Sequence, residues 1–273
     1  MNCLAHDNND SGPADMREAV RRVFGGRRLG LWFIIALLLL WELSARTGFI
    51  TSSNWPPVSA ILLAAVHNLG EGELISALGG TLYRMTAGFV LGAIAAIALG
   101  TLLSVSRLAR ATVEPTIELL RPLPIPALIP PLILFLGLDD PMKIAVVAFT
   151  VFFPVFVNTL YGALAIEPTY RAVAATFGIS GLGTLRSVLL PATLPYVFAG
   201  LRVSLGLAFV SVVAAEMVAG DSGIGFYITS TQYAGRGADM FAALFLVGLS
   251  GYVINRAFVA IEDRILFWHR QSG

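Results

Sequence analysis

Lysine, cysteine and charge in general are scarce in this sequence. Only 13% of its 273 residues are charged, the formal net charge is +1, and Lys143 is the only lysine. A chain with so little basic surface is not expected to bind nucleic acid or acidic substrates. The single cysteine, Cys3, excludes an intramolecular disulfide and gives no information about the redox compartment.

The sequence motifs of soluble enzymes are missing as well. There is no G-x-x-x-x-G-K-[ST] phosphate loop, no H-E-x-x-H pair and no G-x-S-x-G elbow, and the three histidines are scattered. The chain is therefore not expected to be an ATPase, a zinc hydrolase or a serine hydrolase. We predict no catalytic residue, no metal site and no cofactor. A membrane-embedded enzyme would need a polar cluster at one depth, which the sequence does not show.

Apolar residues, in contrast, dominate the chain. Hydrophobic residues make up 56% of it and the mean hydropathy is +0.78, more than a soluble fold of this size could bury. A helix of about 20 apolar residues crosses a bilayer. We therefore predict an all-α polytopic membrane protein with about six transmembrane helices. The candidate spans are Leu29–Ser44, Leu82–Ser106, Thr116–Leu138, Ile144–Ala165, Pro195–Met217 and Met240–Ile261.

Two segments depart from simple spans. The third span contains RPLPIPALIPP at residues 121–131, and five prolines in one stretch predict a kinked or partly unwound helix. A surface helix is expected near Ser59–Leu69, between the first and second spans.

Basic residues indicate the orientation, because short cytoplasmic loops are enriched in arginine and lysine. We predict a cytoplasmic leader at residues 1–28, a transmembrane domain at 29–265 with its core at about 78–265, and a cytoplasmic tail at 266–273. With both termini inside, the cytoplasmic segments hold Arg17, Arg21, Arg22, Arg27, Arg28, Arg107, Arg110, Arg171, Arg186, Arg264 and Arg270.

The loop between the fourth and fifth spans, residues 167–194, is longer than a minimal connector. Pro168 is expected to open a short helix through Phe177, and Gly178 with later glycines to supply a bend. A second short helix is predicted from Thr184 to Leu190, before Pro191. On this pattern alone, an amphipathic hairpin at the membrane surface is one interpretation and a docking element is the other.

The loop resembles a motif of the membrane subunits of binding-protein-dependent ABC importers. That motif has Glu-Ala-Ala, three residues, Gly, nine residues, Ile, one residue and Leu-Pro. This sequence matches the motif at Ala174, Gly178, Leu190 and Pro191. It departs from the motif at three positions: Ala172 replaces the Glu, Val173 replaces the first Ala, and Val188 replaces the Ile. Three further segments resemble the nitrate, sulfonate and taurine branch of that family: RMTAGFVLGAIAAIALG, RPLPIPALIPPLILFLGL and residues 191–228. The resemblance covers about residues 55–265.

The resemblance implies a type I ABC importer permease fold in a bacterial inner membrane. It also implies that residues 167–194 form a coupling loop for a separate ATPase subunit, which binds the ATP. The other implied partners are an extracytoplasmic solute-binding protein, a second permease copy and the lipid bilayer. The family commonly has a glutamate at the position of Ala172, and alanine lacks the polar contact that this glutamate offers the ATPase. A self-sufficient secondary transporter or channel is the competing class, and it would be expected to carry ion-coupling charges at mid-membrane.

Four polar residues in the spans are candidates for the translocation path. Arg121 could attract an anionic substrate from the proline-rich segment, or it could snorkel to the interface. Ser204 and Ser211 share one face of the fifth span, where they either face a polar solute or pack helices together. Glu216 lies near the outer end of that span. The glycines Gly88 and Gly92 form a GxxxG pair that is expected to pack closely against another helix.

Overall fold

The computed structural model describes residues 26–48, 55–179 and 182–267, so most of the predicted leader and tail lie outside the described residues. In the described part every regular element is helical. The helices are α1 (Gly26–Arg46), α2 (Val58–Gly70), α3 (Glu73–Val105), α4 (Arg107–Leu120), α5 (Ile125–Leu136), α6 (Asp140–Leu164), α7 (Pro168–Thr176), α8 (Leu190–Ala219), α9 (Ile224–Tyr233) and α10 (Gly237–Ile265).

The predicted number of spans is confirmed. Five segments of the described chain are long and apolar enough to cross a bilayer: α1, α3, α6, α10, and α8 with the helical turn before it. The bent pair α4 and α5 makes six. α2 is a helix between the first two spans, where a surface helix is predicted, and its position at the membrane surface stays a prediction.

The proline-rich third span is broken, as its composition predicts. α4 and α5 meet at an angle of 102° across residues 121–124. Pro124 is the N-cap residue of α5, and Pro126 lies in its first turn, where a missing N–H leaves no helical hydrogen bond unmade. The break places Arg121 at the corner between the two helices.

Small residues let α3, α6 and α8 pack closely in the centre of the bundle. A Cβ added at Gly92 would lie 2.4 Å from the carbonyl oxygen of Ala148, and one at Gly88 would lie 2.5 Å from the Cβ of Val147. The predicted close-packing role of this GxxxG pair is confirmed. Gly200 makes the corresponding contact from α8 to α6, with an added Cβ 3.0 Å from that of Asn158.

Two helices differ in extent from the predicted segments. The helix of the second span, α3, begins at Glu73, before the predicted span start at Leu82, so Arg84 lies three turns inside α3. The second short helix of the loop is not separate either. A turn at Leu182–Thr184 and a π-helical segment at Leu185–Leu189 run directly into α8, because this segment absorbs the break in hydrogen bonding that Pro191 imposes.

Candidate functional site

The glycine of the predicted coupling loop ends α7 (Pro168–Thr176) in a Schellman motif. The N–H of Gly178 donates to the carbonyl of Ala175 at 3.0 Å, and the N–H of Ile179 donates to the carbonyl of Ala174 at 2.9 Å. Gly178 has φ +72°, a conformation that side-chain-bearing residues rarely adopt. Nothing lies within 4 Å of a Cβ added there. The glycine is therefore explained by its backbone conformation and not by crowding.

One side of α7 and its end carries exposed apolar side chains. The exposed fractions are 58% for Tyr170, 49% for Val173 and 79% for Phe177, and the spacing of three and four residues places the three on one helix face. Ala174, next to Val173 in the sequence, is buried. We call Tyr170, Val173 and Phe177 the α7 stripe. In the described chain it has no covering element.

The remaining motif residues lie on a second segment. Ala172 is exposed on α7. Val188, in the π-helical segment, and Leu190, at the start of α8, are half-buried, and Pro191 is exposed. The two segments border one cleft of about 530 Å³, lined by residues that include Glu167, Tyr170, Pro191, Pro195 and Tyr196. The motif thus forms two neighbouring surfaces at one end of the bundle, which we call the Gly178 end.

The predicted path residues Ser204 and Ser211 face the bundle interior. Both have no exposed surface. The hydroxyl of Ser204 donates to the carbonyl of Val151 on α6 at 3.3 Å, and that of Ser211 donates to the carbonyl of Ala208 at 3.0 Å. Neither lines an open path in this conformation. The bond of Ser204 joins α8 to α6, whereas that of Ser211 lies within α8, so a role of either hydroxyl in the path stays a prediction.

Arg121, in contrast, is exposed in a cavity beside the middle of the fourth span. The cavity has a volume of about 460 Å³, and the α6 residues that line it include Thr150 and Asn158. Val203 and Leu207 of α8 close another side. Among the described residues no carboxylate lies within ion-pair distance of its guanidinium. Arg121 therefore offers an unpaired positive charge to this cavity.

Glu216 is fully buried in a polar cluster at the other end of the bundle. Arg84, which is 5% exposed, donates from Nη1 to Glu216 Oε1 at 2.8 Å and from Nε to Asp140 Oδ1 at 2.6 Å. The hydroxyl of Thr81 lies 2.8 Å from Glu216 Oε2. Since the carboxylate is enclosed and paired, Glu216 is not placed to touch a passing solute in this conformation.

A second ion pair lies in the same region, which we call the Glu216 end. Lys143 is fully buried, and its Nζ reaches Asp221 Oδ1 at 2.8 Å in the linker between α8 and α9. The hydrogen bond from Lys143 and one from Ser222 lower the pKa of the Asp221 carboxyl to about 2. Asp221 is therefore ionised at any physiological pH.

Sequence reasoning misses this cluster. The predicted span Leu82–Ser106 has Arg84 near its start, and Asp140, Lys143 and Asp221 fall outside the predicted spans. The signal that the sequence offers is the start of α3: Gly72 followed by Glu73 is a helix-start pattern that places Arg84 well inside this helix, but it does not identify the partners of Arg84.

Proteins of similar sequence are transport permeases. A Bacillus subtilis protein assigned by name to aliphatic sulfonate transport, the permease SsuC, is 29% identical over 260 residues, covering 94% of each chain. The nitrate import permease NrtB of Leptolyngbya laminosa is 36% identical over 186 residues, covering 68% of this chain and 67% of that one.

A solved structure shares the fold. A chain of the MetNI methionine ABC transporter, in an inward-facing conformation, aligns with a TM-score of 0.59 and 21% identity. The alignment covers 68% of this chain and 93% of the other. The family described as "Binding-protein-dependent transport system inner membrane component" matches residues 88–267. The match includes the predicted coupling-loop motif, the broken third span from Arg107 onward and Glu216. The chain belongs to this family of inner membrane components and is the permease subunit of an ABC importer.

Proposed function

We propose that this chain forms one half of the membrane pathway of an ATP-driven importer for small oxyanions, with sulfonates, taurine and nitrate as candidates. Two copies enclose the pathway, ATPase subunits dock at the Gly178 end, and an extracytoplasmic binding protein delivers the solute at the Glu216 end. The arginine distribution supports this orientation, with the Gly178 end and both termini in the cytoplasm.

The observation that carries the proposal is the α7 stripe at the Gly178 end. Three large apolar side chains stand exposed on a short helix that a Schellman motif terminates and that leads directly toward α8. An apolar stripe of this kind is suited to a groove on a partner. A short, well-terminated helix also passes on a rigid-body motion that a flexible loop would absorb.

The substrate class follows from the Arg121 cavity and from the relatives. A guanidinium without an ion-pair partner favours an anion, and its planar fork suits the oxygens of a sulfonate or nitrate group. The relatives named above are assigned to sulfonate and nitrate transport. A cavity that contains Arg121 but no acidic lining residue fits the same class.

Co-purification tests the docking surface. A tagged chain is isolated from its native membrane, and the ATPase that accompanies it is identified by mass spectrometry and used in further assays. We expect Phe177→Asp to release the ATPase, because a carboxylate would be buried in the apolar contact. Tyr233→Asp is the matched control, since Tyr233 is an 89% exposed aromatic residue on α9 at the opposite end. Equal ATPase recovery with both variants would reject the α7 stripe as the docking surface.

A further inference from the structure

The first turn of α9 (Ile224–Tyr233) is capped by side chains from two other helices. The N–H of Gly225 donates to Glu216 Oε2 at 3.1 Å, and the N–H of Ile224 donates to Thr81 Oγ1 at 2.9 Å. The first N–H groups of a helix have no partner within the helix, and a side chain of the N-cap residue usually accepts from one of them. Here the N-cap residue is Gly223, so α8 and α3 supply the acceptors instead.

The backbone around Glu216 leaves no room for other side chains. Gly223 has φ +99°, and a Cβ added there would lie 2.3 Å from the Cδ of Glu216. A Cβ added at Gly225 would lie 2.4 Å from the carbonyl oxygen of Val213. α9 therefore starts in direct contact with α8, and the two glycines are explained by this contact.

Arg84 extends the same network to the linker that joins α8 to α9. Its Nη2 donates to Ser222 Oγ at 2.7 Å, and its Nη1 donates to the carbonyl of Ser222 at 3.0 Å as well as to Glu216. If Arg84 were lost, the buried Glu216 carboxylate would be left without a cation, which is strongly unfavourable, whereas Arg84 would still pair with Asp140 if Glu216 were lost. The network therefore opposes separation of the 220–223 linker from α3 and α8.

We propose that Glu216 and Arg84 are positioning residues that hold α9 and the 220–223 linker on the ends of α3 and α8. This end of the bundle then moves as a single body during transport. α9 borders an open groove of about 900 Å³, to which Phe226, Tyr227 and Ser230 contribute. Through the caps on α9, Glu216 and Thr81 set the shape of that groove. The role in transport rests on the proposed function, but the attachment of α9 is measurable without transport.

Cysteine labelling tests the attachment. Cys3 is replaced by serine, and a single reporter is placed at Ile228→Cys, which is 3% exposed on α9 where it packs near Leu74 and Ala243. A reference chain carries Val151→Cys instead, in the fully buried core of α6. Each of the two chains is made in three versions, with Glu216 retained, with Glu216→Gln or with Glu216→Ala. All versions are reacted with a small maleimide in lipid nanodiscs.

We expect Glu216→Ala to speed labelling at position 228 by about tenfold or more while labelling at position 151 stays unchanged, because only α9 loses its cap. Glu216→Gln should fall between the unmodified chain and Glu216→Ala, since its amide oxygen can still accept from Gly225 while its NH2 group then faces Arg84 Nη1 and cannot accept from it. Thr81→Val, which removes the acceptor for Ile224 without unpairing a charge, should raise labelling at position 228 even if Glu216→Ala fails to fold.

Three results would overturn the proposal. The first is unchanged labelling at position 228 in both Glu216→Ala and Thr81→Val. The second is an equal effect of Glu216→Gln and Glu216→Ala, and the third is a parallel rise at position 151, which would indicate general loosening. Failure of the unmodified chain to transport would contradict the proposed function but would leave the labelling result standing.

Discussion

Arg84 on α3 and Glu216 on α8 meet at 2.8 Å in the bundle interior, although 132 positions separate them along the chain. Neither side chain has more than 6% of its surface exposed. Lys143 forms the comparable pair with Asp221, but there the carboxylate is 69% exposed. Removing the cation therefore leaves a buried carboxylate in the first pair and a solvent-exposed carboxylate in the second.

This difference predicts unequal effects of the same kind of substitution. Arg84→Met leaves Glu216 charged and enclosed, so we expect a loss of about 3–5 kcal/mol in stability. Lys143→Met leaves Asp221 in contact with water, so we expect a loss of less than about 1 kcal/mol. Thermal unfolding of the two variants in the same detergent measures the contrast. Equal losses would show that the burial of Glu216 does not govern the stability of this end.

Gly178→Val should uncouple transport without affecting insertion into the membrane. Valine at φ +72° is unfavourable by about 1–2 kcal/mol, so the Schellman turn opens and ATPase docking becomes roughly 5 to 30 times weaker. Gly206→Val is the control, since Gly206 lies exposed in α8 with nothing within 4 Å and no positive φ. Uptake per ATP hydrolysed, measured for both variants, decides the matter. Unchanged uptake with Gly178→Val would contradict the docking role.

Gly92→Leu should prevent α3 from packing on α6. An added Cβ already lies 2.4 Å from the backbone of Ala148, so the larger side chain forces the helices apart at a loss of about 1–3 kcal/mol or more. Gly79→Leu on the same helix meets nothing within 4 Å and should be tolerated. The yield of monodisperse protein after solubilisation is the measurement. Similar yields from the two would argue against close packing at Gly92.

Much of the fold follows from the sequence, because apolar length and proline position act locally. The six spans, the broken third span and the small-residue face of Gly88 and Gly92 all depend on residues that are close together in the chain. Helix ends are less predictable: α3 starts at Glu73 and not at Leu82, and the π-helical segment Leu185–Leu189 joins two elements that the glycines and Pro191 predict to be separate. The matching family motif located the Gly178 end.

The Glu216 end could not be predicted from the sequence, because its partners come from three helices and a linker. A charge in a span indicates that some partner exists, but periodicity alone does not identify Arg84 as that partner. The face shared by Ser204 and Ser211 is likewise found by spacing, whereas the neighbour it packs against, α6, emerges only from the three-dimensional arrangement.

Arg121→Gln should weaken anion transport while leaving assembly with the ATPase intact. Loss of the charged hydrogen bonds should raise the apparent KM for the anion roughly tenfold or more. Arg256→Gln, an exposed arginine on α10, is the matched control. The apparent KM is measured from initial uptake rates at saturating binding protein. An equal change in the apparent KM of both variants would show that Arg121 is not part of the translocation path.

The most direct test of the account is uptake into proteoliposomes that contain this chain and its ATPase, with the binding protein supplied on the side of the Glu216 end. Labelled taurine, methanesulfonate and nitrate are offered with ATP or with a non-hydrolysable analogue. We expect at least one of these anions to accumulate with ATP but not with the non-hydrolysable analogue. Its accumulation should stop when the chain carries Phe177→Asp. Accumulation that proceeds without ATP hydrolysis, or that is unaffected by Phe177→Asp, would contradict ATP-driven coupling through the α7 stripe.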